Sequence, residues 1–381
     1  MAGIKIIRDI SAIGGADIFG TAMSAVFWFY LASQIEPSSY GEIGWFLGIA
    51  GLFSGIALFG TASTLTVYAA KKTQIQSTLN FISLSASVIL SFIVIVLFPS
   101  FYTIDVGIIL IAYVINTLAI GDLLGRKQYT NYSKYTLVQK GLTLGLGFSF
   151  FYFFGYESII FALAISYVLH FKRIVSIFKE MKINFGLIKP RIGFIINNYF
   201  MSMLLIAAGQ VDKIITAPLL GFSILGNYNL AAQVITVMLI LPNVFQKYLL
   251  PQESTGVKNK KSKILVVVLS VFVTIFGIFV APVLINELFP KFNEAVDAIR
   301  IMSVVVIPIT ISLILESEFL GNEKSRVVLI GTAVLLCSLI IGMIILGSLM
   351  GIEGIASSLV IAHMARLGFY LIAKKFSAHI L

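Results

Sequence analysis

Long apolar runs alternate with short polar stretches along the whole chain. A helix that crosses a bilayer needs about 20 mostly apolar residues, and twelve segments meet that requirement. The predicted fold class is therefore all-α, a polytopic membrane protein with about twelve transmembrane helices. These helices are predicted at residues 10–33, 41–69, 77–98, 102–121, 134–154, 158–178, 192–217, 222–250, 264–289, 295–320, 326–347 and 353–373.

A short sequence occurs at equivalent positions in the two halves of the chain. Residues 97–101 read Leu-Phe-Pro-Ser-Phe and residues 288–292 read Leu-Phe-Pro-Lys-Phe, 191 residues apart in a chain of 381. This predicts two six-helix repeats, which are parallel because an even number of helices returns the chain to its starting side. The predicted domains are an N-terminal lobe (1–180), a basic cytoplasmic linker (181–191) and a C-terminal lobe (192–381).

Basic residues are concentrated in alternate loops. The loops of one side carry nearly all of the lysines and arginines, and those of the other side carry only Lys291 and Arg300. The positive-inside rule then predicts a multi-pass protein of the cytoplasmic (plasma) membrane with both termini in the cytoplasm. The first apolar run lacks a convincing small-residue cleavage site, so we interpret it as a retained helix and not a signal peptide.

Composition narrows the function classes. Of the residues, 59% are hydrophobic and 12% are charged, whereas soluble domains carry about 25% charged residues. The net charge of +10 follows from the basic loops, so no nucleic-acid partner is expected. The single cysteine, Cys337, and three scattered histidines give no disulfide framework and no metal-ligand spacing. Without a recognisable catalytic motif, we expect no enzyme activity, no cofactor and no metal.

The eighth predicted helix carries a polar stripe. A charge at the bilayer centre costs about 2.5 to 3.5 kcal/mol, so polar residues inside a span require a reason. At about 100° per residue, five of them share one face, with Pro242 able to loosen the backbone among them. The pattern favours the wall of a water-filled cavity, although hydrogen bonds between helices use the same residue types. The stripe consists of Asn229, Gln233, Thr236, Asn243 and Lys247.

A shorter stripe lies on the fifth predicted helix. It contains Lys140, whose ammonium group either lines a cavity or extends to the nearby cytoplasmic surface. The other members of the stripe are Thr136, Gln139 and Thr143.

Acidic residues inside spans are candidates for ion coupling. Asp17 shares a face of the first helix with Thr21 and Ser24, which fits either a proton or cation site or a structural partner of a basic residue. Asp212 on the seventh helix is either a structural anchor or a coupling-ion ligand. Glu316 on the tenth helix is a further coupling candidate, and Arg366 on the twelfth either binds an anionic headgroup or stabilises Glu316.

Several stretches resemble polysaccharide-biosynthesis (Wzx-like) flippases of the multidrug/oligosaccharidyl-lipid/polysaccharide exporter superfamily. Their order along the chain carries the resemblance more than any one motif. They are Leu31-Ala32-Ser33-Gln34-Ile35-Glu36-Pro37-Ser38-Ser39-Tyr40-Gly41, Gln210-Val211-Asp212-Lys213, Leu225-Gly226-Asn227-Tyr228-Asn229-Leu230-Ala231-Ala232, Leu241-Pro242, Leu250-Pro251, Leu288-Phe289-Pro290 and Gly351-Ile352-Glu353-Gly354-Ile355-Ala356.

The resemblance implies a V-shaped pair of six-helix lobes around a central cavity. It also implies transport of a polyprenyl-linked oligosaccharide to the outer leaflet by alternating access, with Asp212 and a cationic cavity carried over from the family. The chain lacks the two extra helices of the lipid II flippases, which disfavours a peptidoglycan precursor as its substrate.

The sequence thus predicts a flippase for a polyprenyl-(pyro)phosphate-linked oligosaccharide. Its expected partners are the lipid-linked glycan, membrane lipids and H⁺ or Na⁺, and it is expected to act as a monomer. The alternatives are a cation-coupled multidrug or metabolite antiporter and a non-transporting scaffold or lipid-binding membrane protein. Lys140, Lys247 and Arg366 would bind the phosphates. Asn229, Gln233 and Asn243 would bind sugars, and Asp17, Asp212 or Glu316 would couple ions.

Overall fold

The computed structural model describes residues 2–98, 102–254, 260–322 and 324–377. The side chains of 2–13, 247, 248 and 250–254 lie outside this description. All regular secondary structure in the described residues is helical, which confirms the all-α class.

Seventeen helices follow one another along the described chain. Three short 3₁₀ turns also occur, Tyr156–Ser158, Phe185–Leu187 and Lys189–Arg191. The helices are α1 (Ala2–Gln34), α2 (Pro37–Ala57), α3 (Ala62–Ala70), α4 (Gln76–Leu97), α5 (Thr103–Gly125), α6 (Tyr129–Phe154), α7 (Ile159–Ile165), α8 (Val168–Glu180), α9 (Ile192–Ala208), α10 (Val211–Leu220), α11 (Phe222–Met238), α12 (Ile240–Ser254), α13 (Lys260–Phe279), α14 (Ala281–Leu288), α15 (Ala295–Ser303), α16 (Val306–Gly321) and α17 (Ser325–Ser377).

The number of membrane spans matches the sequence prediction. Among the described residues, nine helices are long and apolar enough to cross a bilayer, or eleven when each of two bent pairs counts as one span. The 53-residue α17 is kinked at Gly351, where φ is 60°. A straight helix of that length would measure about 80 Å against a hydrocarbon core of about 30 Å. Counting α17 as two spans gives twelve.

Prolines break two of the predicted spans. The eighth predicted helix is two helices, α11 and α12, bent by 48° around Leu239. Pro242 cannot donate to the carbonyl of Met238, and its ring would clash with that carbonyl, so α11 ends there. Pro308 has the same relation to Val304, between α15 and α16, which are bent by 41°. The span predicted at residues 222–250 is therefore present as a bent pair of helices.

The chain divides into two compact units. Unit 1 contains Met1–Phe27 and Phe46–Gln210, and unit 2 contains Trp28–Trp45 and Val211–Leu381. The predicted lobe boundary at 181–191 stays a prediction. It divides the chain by sequence repeat, whereas these units divide it by packing.

The core of unit 1 lies where α3, α4, α5 and α8 meet. Leu65, Leu79, Leu118 and Ile177 are almost completely buried there. In a soluble protein, burying an aliphatic side chain away from water contributes about 1.5 to 3 kcal/mol to stability. Lipid is itself apolar, so shape complementarity between helices contributes more to the stability of this core than transfer from water does.

Unit 2 contains a close helix crossing. A Cβ atom at Gly226 of α11 would overlap the carbonyl oxygen of Pro37, and one at Gly41 of α2 would overlap that of Phe222. The two backbones can approach this closely only because both positions are glycine. Tyr228 and Phe292 fill the core of this unit and are almost fully buried.

Candidate functional site

The first candidate site lies in unit 1 between α1 and α6. Tyr132 donates a hydrogen bond from its hydroxyl to Oδ1 of Asp17 at 2.7 Å, and Thr21 donates to the backbone carbonyl of Asp17 at 2.7 Å. The side chain of Lys140 lies across Gly20 of α1, and its charge interacts with that of Asp17. Asp17, Thr21, Tyr132 and Lys140 are here called the α1/α6 cluster.

The predicted stripe on the fifth span divides between two environments. The side chain of Lys140 lies against α1. This supports a position inside the helix bundle over extension of the ammonium group to the cytoplasmic surface. Gln139 instead donates from Nε2 to the hydroxyls of Thr143 and Ser166, both at 3.0 Å. All three side chains are buried, so this half of the stripe forms hydrogen bonds between helices.

The second candidate site lies in unit 2 between α16 and α17. Arg366 is 8% exposed. Its Nη2 lies 2.6 Å from Oε2 of Glu316, and its Nε donates to the hydroxyl of Tyr370 at 3.1 Å. Glu316, Arg366 and Tyr370 are here called the α16/α17 cluster. Because Glu316 neutralises Arg366, the geometry favours the structural alternative for Arg366 over a headgroup contact.

Asp212 is held by three hydrogen bonds within unit 2. Its Oδ2 accepts from the hydroxyl of Tyr228 at 3.1 Å, and its Oδ1 accepts from the backbone N–H of Lys213 at 2.8 Å. Its backbone carbonyl accepts from the hydroxyl of Thr216 at 2.6 Å. Tyr228 is 1% exposed, and the two predicted roles of Asp212, structural anchor and coupling-ion ligand, stay predictions.

The same motif surrounds the aspartate on the first helix of each predicted repeat. In both cases a tyrosine hydroxyl donates to the carboxylate, and a threonine four residues later donates to the aspartate carbonyl. The sequence spacing Asp-x-x-x-Thr, at Asp17–Thr21 and Asp212–Thr216, is a signal that the sequence alone contains. The tyrosines have no common spacing, because Tyr132 is 115 residues from Asp17 and Tyr228 is 16 residues from Asp212.

The stripe on the eighth predicted span does not form one polar surface. Both polar atoms of the Asn229 amide are buried without a hydrogen-bond partner among the described residues, and the amide packs against Gly44. Gln233 is half-buried, and Asn243 is exposed on α12, beyond the bend. Thr236 donates to the carbonyl of Ala232 at 2.8 Å. The side chain of Lys247 lies outside the described residues.

Sequence reasoning missed another polar stripe, which lies on α4. Its members recur at helical spacing and are all buried, yet they serve the packing of unit 1. The hydroxyl of Ser83 accepts from the backbone N–H of Gly60 at 2.9 Å, and Ser91 donates to the carbonyl of Gly107 at 2.8 Å. A polar stripe in this protein therefore does not by itself indicate water. The stripe consists of Gln76, Asn80, Ser83, Ser87 and Ser91.

Ion-pair networks join helix ends within each unit. In unit 1, Oδ1 of the completely buried Asp122 accepts from Nε of Arg126 and Oδ2 accepts from Nε of Arg173, both at 2.9 Å. In unit 2, Glu318 lies 2.6 Å from both Lys263 and Lys374. Glu318 thus points away from Glu316, as their spacing on the helix predicts. Among the described residues, no group of three or more metal-ligating side chains comes together.

No protein-family model and no curated protein matches this sequence. Solved structures do match this chain in fold. An inward-facing multidrug resistance MATE family transporter is 15% identical, with a TM-score of 0.65 and 95% of each chain covered.

The lipid II flippase MurJ in its inward closed conformation gives a TM-score of 0.72 at 14% identity, covering 94% of this chain and 86% of its own. A MOP superfamily transporter from Pyrococcus furiosus, described by a reverse polarity of its binding pocket, gives 0.63 at 15% identity, covering 97% and 95%. These likenesses confirm the predicted all-α, multi-pass membrane fold.

Proposed function

We propose that this protein moves a polyprenyl-(pyro)phosphate-linked oligosaccharide across the plasma membrane by alternating access. The observation that carries the proposal is the fold, which matches the lipid II flippase over 94% of the chain with a TM-score of 0.72. A flippase fold that also carries a cation within a span suits an amphiphile with an anionic headgroup.

Lys140 supplies that cation. Its ammonium group belongs to the α1/α6 cluster inside a membrane span, where a charge is costly and signals function. In the Pyrococcus furiosus transporter of this fold, a binding pocket of reverse polarity suggests a different function. By the same reasoning, a basic site favours an anionic lipid phosphate over the cationic drugs of an antiporter.

The proposed contacts to substrate differ from those the sequence suggested. Lys140 and Lys247 are retained as phosphate ligands, and Arg366 is not, since Glu316 already neutralises it. Gln233 and the exposed Asn243 are retained as sugar ligands, because an amide exposed within a span is stabilised by water or polar solute. Asn229 is excluded in this conformation, since its amide is buried against Gly44.

Asp17 is the proposed coupling residue. It is a carboxylate within a span whose environment contains both a hydroxyl donor, Tyr132, and a nearby cation, Lys140. Protonation of Asp17 would weaken its attraction for both and free Lys140 for the substrate phosphate. The same carboxylate is the observation that favours the second candidate, a cation-coupled multidrug or metabolite antiporter.

Replacing Lys140 with glutamine is expected to lower the rate of substrate flipping at least about tenfold, because a charge-assisted contact to phosphate contributes roughly 1.5 to 3 kcal/mol. Flipping is measured in proteoliposomes with a polyprenyl-diphosphate oligosaccharide. Lys134→Gln, at an exposed position on the same helix, is the control and should retain the wild-type rate. Lys140→Arg should retain most of the rate, and full activity in Lys140→Gln contradicts the phosphate assignment.

Replacing Asp17 with asparagine is expected to abolish stimulation of flipping by an imposed H⁺ or Na⁺ gradient while basal flipping under a membrane potential continues. The amide oxygen of the new side chain can still accept the hydrogen bond of Tyr132, but the amide cannot carry the charge. Asp212→Asn is the matched control, since Asp212 has the same tyrosine and threonine contacts and is proposed as an anchor. Gradient stimulation that persists in Asp17→Asn but disappears in Asp212→Asn would show that coupling belongs to Asp212.

A further inference from the structure

Helix α8, at the end of the sixth span, has two chemically different faces. Its inner face consists of His170, Ile174 and Ile177, which are almost fully buried in unit 1. Its outer face combines apolar and basic side chains that line one open groove. This face, here called the α8 outer groove, consists of Phe171, Lys172, Val175, Ser176 and Lys179.

The basic residues of α8 divide by face. Arg173 belongs to the buried network and donates to Asp122. Lys172 and Lys179 lie two turns apart on the outer face, and both are exposed. Within the described part of the chain, neither lysine forms a salt bridge. The positive-inside rule accounts for a basic loop, but it does not account for two unneutralised lysines that line the same groove.

The nearby acidic residue is already neutralised. Glu180, the last residue of α8, lies 2.6 Å from Nη1 of Arg126 through its Oε2. Its Oε1 accepts from the hydroxyl of Ser176 at 3.0 Å. The groove therefore presents a net positive charge to whatever occupies it.

The groove also has an apolar side. The side chain of Phe171 is 55% exposed, and Val175 lies beside it on the next turn. After α8 the chain continues with Ile183 and Phe185, which are 42% and 56% exposed. Exposed apolar side chains next to exposed lysines are the pattern of a helix that lies at a membrane interface.

We propose that the α8 outer groove binds the headgroup of an anionic phospholipid from the leaflet adjacent to the basic loops. Lys172 and Lys179 contact the phosphate, as basic residues on an amphipathic helix do for anionic lipid headgroups. Phe171 and Val175 contact the first carbons of an acyl chain. A soluble anion would use the two lysines alone, and only a lipid uses both sides of the groove.

The test is native mass spectrometry of the full-length protein in detergent, titrated with phosphatidylglycerol or phosphatidylcholine. Each lysine is expected to strengthen binding about fivefold, so Lys172→Gln/Lys179→Gln should weaken the binding of phosphatidylglycerol about twenty-fivefold. Lys172→Arg/Lys179→Arg should retain it, which separates lost charge from lost folding. Phe171→Ser should weaken phosphatidylglycerol binding without changing the charge.

Lys260→Gln/Lys261→Gln is the matched control, because this pair is also exposed and basic but lies at the start of α13. It should leave the affinity within about twofold of wild type, since the groove is intact. The proposal is overturned if phosphatidylglycerol binding survives Lys172→Gln/Lys179→Gln, or if phosphatidylcholine binds equally well. Complete displacement of the lipid by millimolar inorganic phosphate, or by an acidic peptide, would also overturn it.

Discussion

Replacing Arg366 with alanine is expected to destabilise the protein by about 3 to 5 kcal/mol, because Glu316 would remain in its membrane span without a partner. Arg366 is 8% exposed, and its Nη2 lies 2.6 Å from Oε2 of Glu316. The double variant Glu316→Ala/Arg366→Ala removes both charges and should recover more than half of the loss. Thermal unfolding in one detergent compares the variants.

The exposed pair of Arg300 and Asp297 provides the control. Both side chains are more than half exposed, and exposed ion pairs contribute only about 0 to 1 kcal/mol. Arg300→Ala should therefore leave the unfolding temperature nearly unchanged. If Arg366→Ala is equally neutral to stability but stops flipping, the pair is not structural and Arg366 belongs among the substrate ligands.

Replacing Gly226 with alanine is expected to prevent correct packing of α2 against α11 in unit 2. The new Cβ would overlap the carbonyl oxygen of Pro37, and backbone atoms cannot move aside as a flexible side chain can. Overpacking commonly lowers the free energy of unfolding by about 1 to 3 kcal/mol. Because the overlap is with backbone atoms, the loss for Gly226→Ala is expected at or above the upper end of that range. The measurements are the yield of monodisperse protein and its unfolding temperature.

Gly368→Ala is the control for this prediction. Nothing lies within 4 Å of a Cβ atom at Gly368, which is inside α17. Alanine is favoured over glycine inside a helix by about 1 kcal/mol, so this variant should be as stable as wild type or more stable. Normal folding of Gly226→Ala would contradict the close crossing.

The number and location of the spans were predictable because apolar run length is a local property of the sequence. The breaks at Leu239 and Val304 were less predictable, because a proline bends some membrane helices and is tolerated without a break in others. Pro218 shows the difference, because α10 continues through it. The prediction that residues 229 to 247 share one face assumes a straight helix. The bend between α11 and α12 makes that assumption invalid.

The partners of the charged residues could not be predicted from spacing. Asp17 and Tyr132 are 115 residues apart, and Glu316 and Arg366 are 50 residues apart. Helical periodicity gives the direction of each side chain but not the neighbour that it meets. The α4 stripe has the same periodicity as the predicted cavity wall, yet its serines form hydrogen bonds to Gly60 and Gly107.

Membrane potential alone can drive the proposed transport. Moving one charge across the membrane corresponds to about 2.3 kcal/mol per 100 mV. A diphosphate with about two negative charges therefore gains roughly 4 to 5 kcal/mol on leaving a negative interior. Ion coupling through Asp17 would add to this gradient and is not required by it.

The most direct test compares two substrates in proteoliposomes that contain the wild-type protein. The account predicts protein-dependent flipping of a polyprenyl-diphosphate oligosaccharide, faster when the compartment that holds the substrate is electrically negative and slower when the potential is reversed. A fluorescent cationic drug should not be transported under the same gradients. Gradient-driven drug transport without any flipping of the lipid-linked glycan would contradict the account.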